Sequence, residues 1–167
     1  MRRRGPTSDR GFAMMEVMVA VGIIAVIATL AVPSYFEQIV REQVKGALPL
    51  ADVAKQPIAA SWQTAQAFPA DNEAAGLPPA EKIVSNHVSA IAVRNGAITI
   101  TFGNRANNAV IGKTLTLRPA VVEDAPVVPI AWVCGYAEAP NQMTVSGENL
   151  TNLPPALLPM ECRALSR

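Results

Sequence analysis

The chain has 167 residues, with 14 basic and 13 acidic side chains, and its formal net charge is +1. Half of its residues are hydrophobic and only 16% are charged, which is more apolar than an average soluble domain. This composition gives no basic surface for nucleic acid, and the sequence has neither a His/Cys cluster for zinc nor a glycine-rich phosphate loop.

The N-terminal part of the chain joins a short basic segment to a long apolar run. Residues 1–11 form a basic leader, and from Phe12 to Val32 the only charged residue is Glu16. As a helix, this run would be about 32 Å long at ~1.5 Å per residue, enough to cross a bilayer core. We therefore predict a transmembrane helix over residues 12–33, with the leader in the cytoplasm and the rest of the chain outside. Without the leader, 10 basic and 12 acidic residues remain, and the net charge is −2.

Residues 34–66 are predicted to continue the helix as an amphipathic segment. Apolar residues recur every three or four positions, with charged and amide side chains between them, and the apolar set is Phe36, Val40, Val44, Leu48 and Ala51. Prolines at positions 33, 49 and 57 are expected to bend or break the helix, because each lacks a backbone donor and crowds the preceding turn. We favour a single curved helix to about Trp62, and two helices broken near Pro49 are the alternative.

Residues 67–167 are predicted to form a globular head with an antiparallel sheet. Residues 67–86 are rich in proline and small residues, which indicates a loop with at most one helical turn. Alternating runs at 87–93 and 97–102 flank Asn95-Gly96, a pair that favours a tight hairpin turn. Residues 114–122 and 130–136 are two further strands, and Pro119 is expected to place the second half of the third strand at an edge or a bulge. The pattern indicates an α+β fold whose sheet packs on the helix stripe.

The chain has two cysteines, Cys134 and Cys162. An even number of cysteines in an exported domain predicts one disulfide, and a pair of free buried thiols is the alternative for a cytosolic domain. The last thirty residues are rich in proline, and we expect them to be irregular and pinned only by Cys162.

Glu16 is the most informative residue of the N-terminal segment. An ordinary secretory signal also has basic residues before an apolar core, but it does not place a carboxylate inside that core. An ionised glutamate in a bilayer costs on the order of 2–3 kcal/mol even on lenient scales, so such a residue usually has a partner and a role.

With Gly11, Phe12 and Glu16 in this arrangement, the chain resembles type IV pilins. The resemblance implies cleavage after Gly11, N-methylation of the new terminal Phe12 and a role in assembly for Glu16. It also implies a helix kink at Pro33, a four-stranded antiparallel sheet and a disulfide loop closed by Cys134 and Cys162. One departure lies between Phe12 and Glu16, where many pilins read Thr-Leu-Ile and this chain has Ala-Met-Met.

The resemblance further implies a structural role with no catalytic residue and no cofactor. The implied protein is a pilus subunit for adhesion and twitching motility, staged in the inner membrane and then exported as an extracellular filament. Its expected partners are other copies of the subunit, a prepilin peptidase and methyltransferase, the inner-membrane assembly machinery and a host or surface receptor. A minor pilin, a pseudopilin and a DNA-uptake pilin are alternatives, and DNA binding is not favoured by a net charge of −2.

Two other interpretations of the N-terminus remain open. It could be an ordinary signal cleaved after residues 29–31, or a simple anchor for another periplasmic domain. The length of the run, Glu16 and the nearby Pro33 argue against an ordinary signal.

The remaining chemically notable residues are predicted to be structural. His87, the only histidine, lies where a loop enters a strand, and we expect it to be solvated. The acidic pair Glu123 and Asp124 precedes a proline and is expected to form a solvated turn. Trp62 and Trp132 are expected to be core anchors.

Overall fold

The computed structural model describes residues 14–164, apart from the side chains of residues 30 and 32–34. The chain divides into two compact units, one ending at Phe36 and one beginning at Glu37. The helices are α1 (Met14–Ala47) and α2 (Asp52–Ala65), and the strands are β1 (Val88–Arg94), β2 (Ala97–Phe102), β3 (Thr114–Val121), β4 (Ala131–Cys134) and β5 (Thr144–Val145). Short 3-10 turns occupy Leu48–Ala51, Ala80–Lys82, Pro155–Leu157 and Met160–Cys162.

The expected single helix to Trp62 is wrong in one respect, because α-helical hydrogen bonding stops at Ala47. A 3-10 turn over Leu48–Ala51 separates α1 from α2, with Pro49 near its start. This is the break near Pro49 that was the alternative. Gly46 lies three residues before Pro49, and glycine and proline both weaken an α-helix. Pro57, by contrast, lies inside α2.

The structure describes residues 14–33 of the predicted membrane span, which covers 12–33. Within residues 14–164, no helix is long and apolar enough to cross a membrane. The predicted span begins at Phe12, outside the described residues, and therefore stays a prediction. The kink at Pro33 also stays a prediction; α1 continues through that position.

In the second unit, the helical segment buries a stripe of small and branched residues at spacings of three and four. Its members are Val40, Val44, Ala47, Ala51, Ala54 and Ile58. The stripe starts one turn later than predicted, because Phe36 is 58% exposed and lies in the first unit. Ala47, Ala51 and Ala54 contribute only methyl groups to this stripe.

The sheet is antiparallel, and its main path is β1-β2-β3-β4. The predicted hairpin is confirmed: β1 and β2 meet at Arg94 and Ala97, and both turn residues have positive φ, 48° at Asn95 and 80° at Gly96. These are the angles of a tight hairpin turn, and Asn and Gly tolerate them best. The long helix and the sheet of four antiparallel strands confirm the predicted α+β fold class.

One face of the sheet packs on the helical stripe. Its core side chains are Ile91, Val93, Ile98, Ile100, Phe102, Leu115 and Leu117. Partners across the strands also face the helix, as in Ile91 with Ile100 and Ile98 with Leu117. This alternation follows from the period-two geometry of a strand.

The expectation for Pro119 is wrong, because β3 is an inner strand at that point. Pro119 pairs with Trp132 on one side, and its carbonyl accepts a hydrogen bond from the Ser146 amide at 2.9 Å on the other side. The proline nitrogen faces the same side as its carbonyl. On that side, β2 begins at Ala97, and its pairing with β3 ends at Leu117, which lies before Pro119. The missing N–H of Pro119 therefore interrupts no hydrogen bond between β2 and β3.

Candidate functional site

The first unit presents a helix with exposed apolar side chains on every side. The exposed set from 14 to 27 comprises Met14, Met15, Val17, Met18, Val19, Val21, Ile23, Ile24, Val26 and Ile27. These ten residues lie within a span of fourteen positions, and at 3.6 residues per turn they point in all directions around the helix axis. A helix that is apolar all round is usually buried, so this surface requires an apolar environment that the described residues of the first unit do not supply.

Glu16 is the one acidic residue in this stretch. It lies in the first turn of α1 and is exposed. Gly11 and Phe12 lie outside the described residues, so cleavage after Gly11, N-methylation of Phe12 and the assembly role of Glu16 stay predictions.

The predicted disulfide is confirmed. Cys134, the last residue of β4, is bonded to Cys162, with 4.5 Å between their Cα atoms. The two residues are 7% and 0% exposed, so the bond belongs to the core. The backbone reinforces it, since the Tyr136 amide donates to the Cys162 carbonyl at 2.9 Å.

The segment closed by the disulfide is better fixed than the sequence suggested. Leu153 and Leu158 are fully buried. The Asn152 amide donates to the Thr114 carbonyl, and the Tyr136 hydroxyl donates to the Thr151 carbonyl at 3.0 Å. The expectation that Cys162 alone pins this region is therefore wrong.

Residues 144–152 form a strap across the outer face of the sheet, the face opposite the helix. β5 pairs with Ala120 and Val121 on the β2 side of β3, whereas residues 150–152 bond to Thr114 and Thr116 on the β4 side. The chain therefore crosses over β3 between these points. The Thr116 hydroxyl accepts the Leu150 amide at 3.1 Å, and Thr116 is fully buried beneath the strap.

A buried asparagine that sequence reasoning did not single out fixes the loop before β1. Asn72 is 9% exposed. Its side-chain amide donates to the carbonyls of Pro78 and Ile91, both at 3.0 Å, and its oxygen accepts the Val93 amide at 2.6 Å. The side chain therefore occupies the free edge of β1. The loop sequence gave no signal beyond its polarity.

Of the other residues predicted to be structural, His87 is half-buried directly before β1. Trp132 is half-buried against the core, with the Lys55 Nζ 5.9 Å from its ring centroid. Glu123 and Asp124 are exposed in the turn after β3, as predicted. Within residues 14–164, no group of three or more His, Cys, Asp or Glu side chains could hold a metal ion.

Comparison with known proteins gives matches along nearly the whole chain. A family model of pilin, a bacterial filament protein, matches residues 40–163, and a model of the prokaryotic N-terminal methylation motif matches residues 6–32. The chain is 29% identical over 164 residues to type IV major pilin protein PilE1 of Neisseria gonorrhoeae, which covers 94% of this chain and 88% of the relative.

Two further relatives have the same character. A fimbrial protein of Neisseria meningitidis serogroup A is 28% identical over 145 residues, covering 86% of this chain and 83% of the relative. The fimbrial protein EcpC of Eikenella corrodens is 31% identical over 129 residues, covering 75% and 82%. The fold, the disulfide and these matches agree, and we conclude that the chain belongs to the pilin family, among the type IV pilins.

Proposed function

We propose that this chain is a major subunit of a type IV pilus, cleaved after Gly11, N-methylated at Phe12 and polymerised through α1. The observation that supports this most is the helix of the first unit, which exposes ten large apolar side chains around a single carboxylate, Glu16. The N-terminal methylation motif over residues 6–32 supports the processing step.

The apolar helix surface must stay out of water both before and after polymerisation. Moving these ten half-exposed apolar side chains from an apolar environment into water would cost on the order of 10 kcal/mol per subunit. Before assembly, the same segment would hold the precursor in the inner membrane. In the filament, neighbouring helices would replace the lipid, and a contact that does not close on itself would produce a helical fibre.

Glu16 would make assembly depend on processing. In the precursor, the nitrogen of Phe12 is part of an uncharged peptide bond. After cleavage it becomes an ammonium group, which would pair with the Glu16 carboxylate of an adjacent subunit, because opposite charges attract strongly in an apolar environment. Breaking such a buried pair by removing one partner commonly costs about 3–5 kcal/mol.

The proposal is tested by Glu16→Ala, with Glu42→Ala as a matched control. Glu42 is an exposed glutamate on the same helix whose carboxylate pairs with Lys45, at 3.4 Å. Immunoblots of the membrane fraction and of filaments sheared from cells would measure processing and assembly separately. We expect Glu16→Ala to be cleaved normally but to yield few or no filaments, whereas Glu42→Ala assembles normally.

The opposite result would contradict the role of Glu16. Abundant mature Glu16→Ala subunit in sheared filaments would mean that the carboxylate simply faces water at the membrane interface.

Adhesion and twitching motility would follow from the filament, with the peptidase, methyltransferase and assembly machinery as partners at the inner membrane. A DNA-uptake role is disfavoured by the net charge of −2 without the leader, and the absence of a gel shift at low salt would agree with this.

A further inference from the structure

A cleft in the second unit lies between the end of α2 and the turn after β3. Its volume is about 250 Å³, and Trp62, Gln66, Glu123 and Asp124 line it. Trp62 lies in the last turn of α2, and Gln66 is the residue that caps its C-terminus. The lining residues come from two segments more than fifty positions apart, so the fold brings together an aromatic ring, an amide and two carboxylates.

Two of these side chains are held in place by neighbours outside the cleft. The Trp62 ring stacks on Phe68, with 5.0 Å between ring centroids and an interplanar angle of 13°. One Glu123 oxygen accepts the Thr144 hydroxyl at 3.1 Å, which ties the turn to β5. The backbone N–H of Gln66 donates to the Trp62 carbonyl at 3.0 Å and fixes the end of α2. A ligand would therefore meet a Trp62 ring and a Glu123 carboxylate with little rotamer freedom left to lose.

The backbone is also unusual on both sides of the cleft. Gln66 and Asp124 have φ angles of 49° and 58°, in the left-handed region that residues other than glycine seldom adopt. In addition, the Trp62 Nε1 is buried, and no partner for it lies among the residues that the structure describes.

We propose that this cleft binds an uncharged sugar ring. The C–H face of a pyranose packs on a flat aromatic ring, and Trp62 offers such a ring in the cleft. The hydroxyl groups around that face are donors, and the oxygens of Glu123, Asp124 and Gln66 are acceptors for them. Hydrogen bonds to carboxylates are about twice as strong as those between neutral groups, so the two acids would contribute most of the directional binding.

The size and charge of the cleft narrow the ligand class. A volume of about 250 Å³ lies below the ~300–1,000 Å³ typical of drug-sized ligands, so the cleft fits a single ring of a longer glycan. No basic side chain lines it, and two carboxylates do. Sialylated, sulfated and phosphorylated sugars are therefore disfavoured by charge repulsion.

The test uses whole filaments and two variants that preserve shape. Asp124→Asn suits the left-handed backbone, because asparagine tolerates that conformation well, and Glu123→Gln keeps an oxygen for Thr144. Glu161→Gln, an exposed glutamate outside the cleft, is the matched control. Binding of the methyl glycosides of glucose, galactose, mannose and their N-acetylated amines is measured by saturation-transfer NMR, with sialic acid as the charged comparison.

We expect at least one of the neutral methyl glycosides to bind and sialic acid not to bind. Each of the two cleft variants should weaken binding by about 10-fold, since each replaces a charged acceptor by a neutral one, while Glu161→Gln leaves binding unchanged. Trp62→Ala should abolish it. Filament yield is scored separately by electron microscopy, so a failure of sugar binding is distinguishable from a failure of assembly.

Three results would overturn the proposal. The first is that none of the neutral glycosides binds at millimolar concentration. The second is that binding is unchanged in the Glu123→Gln, Asp124→Asn double variant, which would place the sugar elsewhere on the filament. The third is that sialic acid binds as well as the neutral glycosides, since two carboxylates would repel it.

Discussion

Replacing Asn72 by alanine should destabilise the pilin head much more than replacing the exposed Asn108 by alanine. The side chain makes three hydrogen bonds, two of them buried, to the Ile91 carbonyl and the Val93 amide of β1. Ile91 and Val93 are 0% and 2% exposed, so water has little access to the two groups that would lose their partner.

The magnitude follows from those contacts. A buried polar group left without a partner costs about 1–3 kcal/mol, and a partly buried hydrogen bond contributes about 1 kcal/mol. Loss of the partners of the two buried groups on β1 and of the Pro78 carbonyl should together lower the free energy of unfolding by about 4 kcal/mol. For a unit of this size, we expect the midpoint of thermal unfolding to fall by about 10–15 °C. Asn72→Asp should cost at least as much, because its carboxylate would face two carbonyl oxygens.

The measurement is urea and thermal unfolding of the detergent-solubilised mature protein, with Asn108→Ala as the control. Asn108 is exposed in the connection between β2 and β3, so its substitution should change the free energy of unfolding by less than about 0.5 kcal/mol. If Asn72→Ala and Asn108→Ala were equally stable, Asn72 would not hold the loop to β1, and the reasoning would be refuted.

Two further predictions concern the C-terminal part of the head. Replacing Cys134 and Cys162 by serine should lower the free energy of unfolding by about 3–4 kcal/mol, because the disulfide closes a loop with a sequence separation of 28. Labelling of the denatured, unreduced wild-type protein should find no free thiol. Two labelled thiols would contradict the disulfide. Gly147→Ala should be several times more destabilising than Gly76→Ala in the same unfolding assay. Both glycines have positive φ, but a Cβ at 147 would lie 2.6 Å from the Ala97 Cβ, whereas nothing lies within 4 Å at 76; equal losses would mean that the strap does not pack closely on the sheet.

Features encoded by neighbouring residues were predictable from the sequence. Asn95-Gly96 predicts a tight turn by its own backbone preferences, and the alternating runs on either side fix which residues face the core. The disulfide was predictable for a similar reason, since two cysteines in an exported domain have one way to pair.

Features that depend on distant partners were not predictable. β5 has two residues, and Val145 pairs with Ala120, twenty-five positions earlier, so no local pattern marks it. Asn72 bonds to backbone groups 19 and 21 positions away. In the loop sequence it is indistinguishable from a solvated residue.

The two described prolines of the amphipathic segment illustrate the limit of a single-residue rule. Proline predicts a helix break at 49 and at 57 equally, but α2 continues through Pro57. Val53, whose carbonyl loses its helical donor at Pro57, is 52% exposed, so water can replace that bond. At Pro49 the preceding Gly46 adds a second weakening, and the helix changes to a 3-10 turn.

The central proposal is that this chain is processed after Gly11 and assembled through its apolar helix. The most direct measurement is the N-terminal residue and intact mass of the protein in filaments sheared from cells. The account predicts a chain that begins at Phe12 and carries one methyl group on its terminal nitrogen. A mature protein that begins at Val32, or a chain that retains residues 1–11 and is absent from the sheared fraction, would contradict it.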